Sequence, residues 1–210
     1  MRRIGAALLR SLGWLLPSLA LAYPRLDPLF VAYLGVVLFG SLAIALVIDP
    51  ISFQRKDGED RRSETRLGAL LFGIFLISAL DVGHLGAAVP AGVRAGGLGL
   101  LAAAYTLRAL AIGTNRFFSG VLLVQAERGH DVVDRGPYRW VRHPGNLSAI
   151  LIVLSLPRAA GSWLALAVGA LAAVVVLDRT IKEDRFLSER LPGYPDYRAR
   201  VRFRLVPGVY

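Results

Sequence analysis

Charge is distributed along this 210-residue chain in blocks, and that segregation limits its possible folds more than any motif does. Stretches at 4–22, 28–48, 67–89, 95–113, 145–156 and 161–177 hold almost no charged side chains, and the short stretches between them hold nearly all. A spanning helix needs roughly 20 mostly apolar residues to cross about 30 Å of hydrocarbon. The stretch at 145–156 is short unless its helix extends upstream through Pro144. Apolar residues form 55% of the chain, against about 45–50% in soluble domains. The expected fold is therefore all-α, a polytopic transmembrane helical bundle of five to six spans. Pro157-Arg158-Ala159-Ala160 separates the last two stretches, which read as a tight helical hairpin.

The net charge of +10 suggests nucleic acid, but its placement decides against that. With six spans and a cytoplasmic N-terminus, 21 of the 25 Lys and Arg lie on the cytoplasmic side: Arg2, Arg3 and Arg10, those in 50–66 and 115–144, and those after Asp178. The far side holds Arg25, Arg94 and Arg158, and Arg108 lies within a span. Such asymmetry is the positive-inside signature. It implies a basic rim facing lipid head groups, in a bacterial inner (plasma) membrane, with both termini cytoplasmic. The expected partners are membrane lipids and a lipophilic substrate, not nucleic acid, and oligomeric state is not legible. The first stretch has a second reading. Met1-Arg2-Arg3 and Ala20-Leu21-Ala22 resemble the ends of a secretory signal, although Arg10 interrupts it. If it lies in the interface instead, five spans remain. Cysteine is absent, which excludes disulfides, thiolate metal sites and thiol nucleophiles.

Two features inside the spans favour structural readings. Gly92 and Gly96-Gly97-Leu98-Gly99 lack the preceding strand and following acidic residue of a dinucleotide loop, and small residues at this spacing let helices approach closely. Asp81 and His84 stand three apart on one expected face, where a structural or pathway role outweighs a catalytic or metal one. Arg108 on the next span is a possible ion partner for Asp81. No metal site is expected.

Two polar, Arg-rich and aromatic segments, 115–144 and 178–210, both lie on the cytoplasmic side and are expected to fold together over the helices. The densest run is Asp134-Arg135-Gly136-Pro137-Tyr138-Arg139-Trp140-Val141-Arg142-His143-Pro144. Gly-Pro predicts a turn, and Pro144 suits the first helical position. Arg142 and His143 would then stand at a helix N-terminus, a setting that favours an anion. Asp178-Arg179-Thr180-Ile181-Lys182-Glu183-Asp184 follows the hairpin. Alone it reads as an amphipathic helix leaving the membrane, whose acidic pair beside an Arg suits an amine or sulfonium.

Taken together, these segments resemble the isoprenylcysteine carboxyl methyltransferase family, whose relatives include membrane phospholipid N-methyltransferases. The resemblance rests on Asn115-Arg116-Phe117-Phe118-Ser119, Val124-Gln125, Gly129-His130, Gly136-Pro137-Tyr138 and Arg142-His143-Pro144. Asp178-Arg179-Thr180, Glu183-Asp184 and the Tyr194/Tyr197 tail complete the set. It implies N-terminal transmembrane helices over 1–114 and a catalytic region over 115–210 that includes the hairpin. It also implies an integral membrane methyltransferase that uses S-adenosylmethionine and takes its lipophilic acceptor laterally from the bilayer. By motif position, Gln125, His130, Tyr138, His143, Pro144 and Glu183 would line the cofactor site. Arg142 and Arg179 would act at the acceptor, with Asn115 and Asn146 binding it.

Two departures from the family pattern stand out: Asn146 and Ser148 stand where Tyr and Gly are usual, and Glu183-Asp184 replaces a Glu-Glu pair. The acceptor could be an isoprenylcysteine-like carboxylate, a phospholipid amine or a small lipophilic molecule. The other readings are an NADPH-dependent membrane reductase of related architecture and a non-enzymatic transporter or scaffold. The basic asymmetry makes the topology testable. Reporter fusions after residue 25 and after residue 60 are expected on opposite sides of the membrane. The same side for both removes the six-span arrangement.

Overall fold

The computed structural model describes residues 13, 27–47, 58–85, 89–119 and 122–209. Six α-helices organise them: Pro28–Val47 (α1), Gly58–Leu80 (α2), Ala91–Thr114 (α3), Pro144–Ala160 (α4), Trp163–Arg190 (α5) and Tyr194–Arg200 (α6). The expected first stretch, 4–22, lies outside the described residues apart from Gly13. No strand occurs among the described residues.

Helix α1 is apolar all round, which suits either a buried core helix or lipid surroundings. Its outward face answers the question: Phe39 is 72% exposed and Leu46 66%. Leu110 of α3 and Leu164, Leu171 and Val174 of α5 are similarly bare. Exposed apolar faces on several long helices are stable only against lipid. Four helices are long and apolar enough to cross, over Pro28–Val47, Thr65–Leu85, Ala91–Thr114 and Trp163–Arg190. Pro144–Ala160 is a shorter apolar helix between them. The protein is an integral membrane helical bundle, as the charge pattern predicts.

Inside the bundle, α4 packs against α3 and α5, α2 against α5, and α1 against α3. The core is built from Phe30, Tyr33, Val37, Ile74, Phe75, Leu101, Val153 and Leu156, with Ala159, Ala160 and Ala172 where backbones come close. Of the four glycines in the first half of α3, Gly97 makes the close approach, because a Cβ there would lie 2.7 Å from the Ala159 nitrogen. Gly92, Gly96 and Gly99 face open space.

The hairpin differs from its sequence reading. Helix α4 runs through Pro157 to Ala160, and Gly161 and Ser162 alone make the turn. Proline cannot donate to the carbonyl four residues back, Val153. That oxygen faces α5 at Gly169, where a Cβ would come within 2.5 Å of it. A glycine there lets the two backbones close over the missing bond.

Polar ties hold the end of the bundle that carries the hairpin turn. Arg94 reaches Asp27 with both terminal nitrogens, one at 2.9 Å, joining α3 to the start of α1. The Asp27 hydrogen bonds to Arg94 lower its carboxyl below the usual range, outweighing the opposing effect of burial. Helix α2 ends in a π-helical turn, Asp81–Leu85, where Asp81 is buried and accepts from Ser162 Oγ at 2.6 Å. The π turn separates the two polar side chains, leaving His84 exposed. Asp81 and Arg108 do not pair: Asp81 is tied to the hairpin turn, and Arg108 donates to the Gly145 carbonyl at the start of α4.

The opposite end carries the functional segments. At 28 residues, α5 is about 42 Å long, so it outruns the hydrocarbon and lifts Asp178–Arg190 beyond it. Gly97→Val is expected to destabilise the bundle by ~1–3 kcal/mol through overpacking against α4. Gly96→Val, facing open space, is expected to change little. Thermal unfolding in detergent measures both, and equal losses would contradict the packing assignment.

Candidate active site

The two polar segments fold together around one carboxylate. Asp184, 1% exposed, accepts from Arg142 Nε (2.8 Å) and Nη2 (3.1 Å), from Arg204 Nε (2.9 Å) and from the Tyr194 hydroxyl (2.9 Å). His143 Nε2 lies 3.1 Å from the same carboxylate, which can only accept, so that nitrogen carries the proton. Burial pushes the Asp184 carboxyl up, but the bonds from His143, Arg142 and Arg204 outweigh it and hold the group well below the usual carboxylate range. Burial, and then the Asp184 charge, push the Tyr194 hydroxyl up, so it stays a proton donor.

Backbone bonds complete the junction. The amides of Arg142 and His143 donate to the carbonyls of Phe203 and Arg204, each at 2.9 Å. Arg142 Nη1 donates to the carbonyls of Val201 and Arg202. The amides of Arg142 and His143 are therefore taken by the tail and are not open to an anion, as the sequence reading expected them to be. Pro144 occupies the first helical turn, as predicted. Gly136, at φ 56°, opens the 3-10 turn Gly136–Arg139, and Tyr197 Oη donates to the Tyr138 carbonyl at 2.7 Å, pinning α6 to it.

A cavity of about 330 Å³ lies beside this junction, between the polar segments and the spans. Its polar wall includes Asn115, His130, Tyr138, His143, Asn146 and Glu183. Its apolar wall includes Leu67 and Leu71 of α2, Ala149 of α4 and Val176 of α5. Glu183 and Asp184 are neighbours on α5 but turn about 100° apart. Glu183 faces the cavity and accepts from Asn146 Nδ2 at 2.7 Å, while Asp184 faces the tail. His143 sits between them, with Nδ1 3.9 Å from Glu183. Tyr138 donates to the Ala111 carbonyl at 3.3 Å, and burial pushes its hydroxyl up.

The loop over the cavity has its own core. His130 stacks on Phe117 with ring centroids 4.3 Å apart, and the Arg116 guanidinium covers the Phe117 ring at 4.5 Å. The Gln125 amide donates to His130 Nδ1 at 3.1 Å, which needs a neutral ring. Burial lowers the His130 pKa, in keeping with that bond.

Of the residues singled out from sequence, Arg142, Arg179, His130, Tyr138, His143, Glu183, Asn146 and Asn115 share the cavity wall. Gln125 and Pro144 stand behind it. Gln125 is buried and donates from Nε2 to the Phe117 carbonyl at 3.0 Å, while Arg128 donates to its Oε1. The sequence reading missed the roles of Asp184 and Arg204 as a junction, and the Arg108 side chain in the cavity wall. The available signal was an acidic residue just past a membrane exit in an Arg-rich setting, which has no obligatory distant partner in sequence.

Residues 97–189 match the model of the Isoprenylcysteine carboxyl methyltransferase (ICMT) family. The match bears out the resemblance seen in the motifs, and begins inside α3, upstream of the expected boundary at residue 115. No curated protein matches the chain.

Asp184→Asn is expected to destabilise the junction by ~3–5 kcal/mol, since it removes the counter-charge of the buried Arg142 guanidinium. A depressed folded pKa means that this contribution is complete above the unfolded value, about 3.9, and is lost only as pH falls through the lower folded value. Between pH 6 and 9, Asp184 therefore adds no slope to wild-type stability. Thermal unfolding and proteolytic release of the tail beyond residue 190 test both points. An Asn variant with wild-type resistance would show that the junction does not hold the tail.

Proposed function

Starting from the match to a family of membrane methyltransferases, we propose that this protein transfers a methyl group from S-adenosylmethionine to a lipophilic acceptor drawn from the bilayer. The single observation that carries the reading is the two-sided cavity, in which a carboxylate, an imidazole and a phenol face apolar side chains from the spans. Its volume, about 330 Å³, falls within the small-molecule range of roughly 300–1,000 Å³.

The donor set fits the group. A sulfonium and an amine suit the Glu183 carboxylate, and an adenine ring suits the stacked His130 and Phe117. His130, Tyr138, His143 and Glu183 are the residues that would hold it. When bound, S-adenosylmethionine supplies a methyl group activated by the positive sulfonium. The chain's contribution is placement and charge, since an in-line displacement gains most from fixed geometry. Asn146 orients Glu183, the lid loop excludes water, and Leu67, Leu71 and Val176 offer the acceptor's apolar body a path from lipid. Asn115 and Asn146 contact the acceptor.

Arg179, on the cavity face of α5, acts at the acceptor. Arg142 has a different part. Its Nε and one Nη2 bond are committed to Asp184 and Nη1 to two carbonyls, so it positions His143 and the tail instead of clamping an acceptor. Gln125 and Pro144 support the wall from behind.

Calorimetric titration of purified protein with S-adenosylhomocysteine tests the cofactor assignment. Glu183→Ala and His143→Ala are each expected to weaken binding more than about tenfold, or roughly 1.4 kcal/mol. Asp81→Ala, at the other end of the bundle, is expected to leave affinity within a few fold. Unchanged affinity in both cavity variants would remove the cofactor from this pocket.

A further inference from the structure

The two histidines of the cavity wall present opposite hydrogen-bonding faces. His130 Nδ1 accepts from the Gln125 amide at 3.1 Å, so the proton of its neutral ring sits on Nε2 and that nitrogen can only donate. His143 is held the other way round. Its Nε2 lies 3.1 Å from Asp184, a carboxylate that can only accept, and gives it the ring proton. Nδ1 of the neutral ring is then a bare acceptor. It lies toward Glu183, whose carboxylate stands 3.9 Å away, beyond hydrogen-bonding distance. Among the described residues, Nδ1 receives no hydrogen bond, and both His143 and Glu183 line the cavity.

A buried carboxylate on one imidazole nitrogen fixes the tautomer, presents the lone pair on the other nitrogen and stabilises the imidazolium that forms. Asp184 stands in that relation to His143, and Arg142, Arg204 and Tyr194 hold the carboxylate in place. An imidazole binds a proton more tightly than a carboxylate does, and it exchanges that proton near neutral pH. Glu183 is already tied by Asn146 and suits the cofactor's positive groups. The lone pair of His143 Nδ1 is therefore the basic atom that this wall leaves for an acceptor.

We propose that His143, oriented by Asp184, is a catalytic general base, and that the acceptor it serves carries a weakly acidic hydroxyl or thiol on a lipophilic body. The assignment rests on the methyltransferase reading. In the step, a lone pair of the acceptor oxygen or sulfur forms the bond to the methyl carbon while the carbon–sulfur bond of the donor breaks, its electron pair staying on sulfur. The acceptor's proton passes to His143 Nδ1 and later to water. One positive charge is present before and after the transfer. It leaves the sulfonium and reappears on the imidazole, between Asp184 and Glu183. A carboxylate acceptor has no proton to lose and would leave Nδ1 idle.

Nitrogen NMR of histidine-labelled wild type in detergent reads the tautomer, with the signals of the three histidines assigned through His84→Gln and His130→Gln. In the neutral His143 ring, Nε2 is expected to carry the proton and Nδ1 none. With S-adenosylhomocysteine bound, the Nδ1 signal is expected to move on adding para-hexadecylphenol or hexadecanethiol. It is expected to stay on adding the methyl ether of the phenol, which has no proton to give. A proton on Nδ1 in place of Nε2, or a response that does not distinguish phenol from ether, overturns the proposal. The second arm is radiolabelled methyl transfer at saturating S-adenosylmethionine. In His143→Gln, transfer to the phenol or thiol is expected to fall at least about 100-fold further than transfer to palmitate, in line with what a general base supplies. Equal losses, or a wild type that methylates palmitate alone, also overturn it. If the Gln variant does not fold, or no acceptor is turned over, the tautomer and the Nδ1 response of wild type decide. Absence of S-adenosylhomocysteine binding in calorimetry would sink the methyltransferase reading and the base role with it, whereas binding with the reversed tautomer sinks the base role alone.

Discussion

Everything on the polar end of this bundle depends on one buried carboxylate. Asp184 receives two arginines, an imidazole and a phenol, contributed by the loop before α4, the start of α6 and the tail after it. A lone carboxylate removed from water is heavily penalised, and it is tolerated here because its lone pairs are occupied by charged or strongly polar donors. The converse also holds. Arg142 is 5% exposed and survives there only because Asp184 and two carbonyls take up its donors. These groups are individually unfavourable in a protein interior and become stable only as a set. That mutual requirement gives the junction its all-or-none character.

The junction also explains how adjacent residues acquire unrelated duties. Helical geometry turns Glu183 toward the cavity and Asp184 toward the tail, with His143 between them. A bond between Asn146 and Glu183 links the start of α4 to the cavity face of α5. The departure from the family pattern at Asn146 is thus accommodated by a hydrogen bond, and the shorter Asp184 side chain works because Arg204 of the tail and Arg142 come to it.

A bilayer imposes a division on the molecule. Helix α5 exceeds the hydrocarbon thickness, so its first half packs on α4 through small residues and its second half carries charge into the aqueous phase. The cavity forms where these regimes meet, so one of its walls is polar and the other apolar. Polar ties at the hairpin end, Asp27 with Arg94 and Asp81 with Ser162, hold the helices together from the other side.

By itself, the sequence determined the helical membrane architecture, since long apolar stretches must satisfy their backbones internally and charge cannot remain in hydrocarbon. It also determined the Gly136-Pro137 turn and the helix start at Pro144, which are local consequences of fixed backbone angles. The cluster of residues around the cavity was legible because the family's motifs carry it, and eight of those singled out do share the cavity wall: Arg142, Arg179, His130, Tyr138, His143, Glu183, Asn146 and Asn115. Tertiary structure alone decided their partners. Arg142 looked like a ligand-facing cation until the fold brought residues 184, 201 and 202 to it, and Asp81 and Arg108 looked like a pair until the bundle put them on different neighbours. A side chain's charge is written in the sequence, but its partner depends on which distant backbone arrives within about 3 Å, and hydrogen bonding is too short-ranged to be inferred from spacing along the chain.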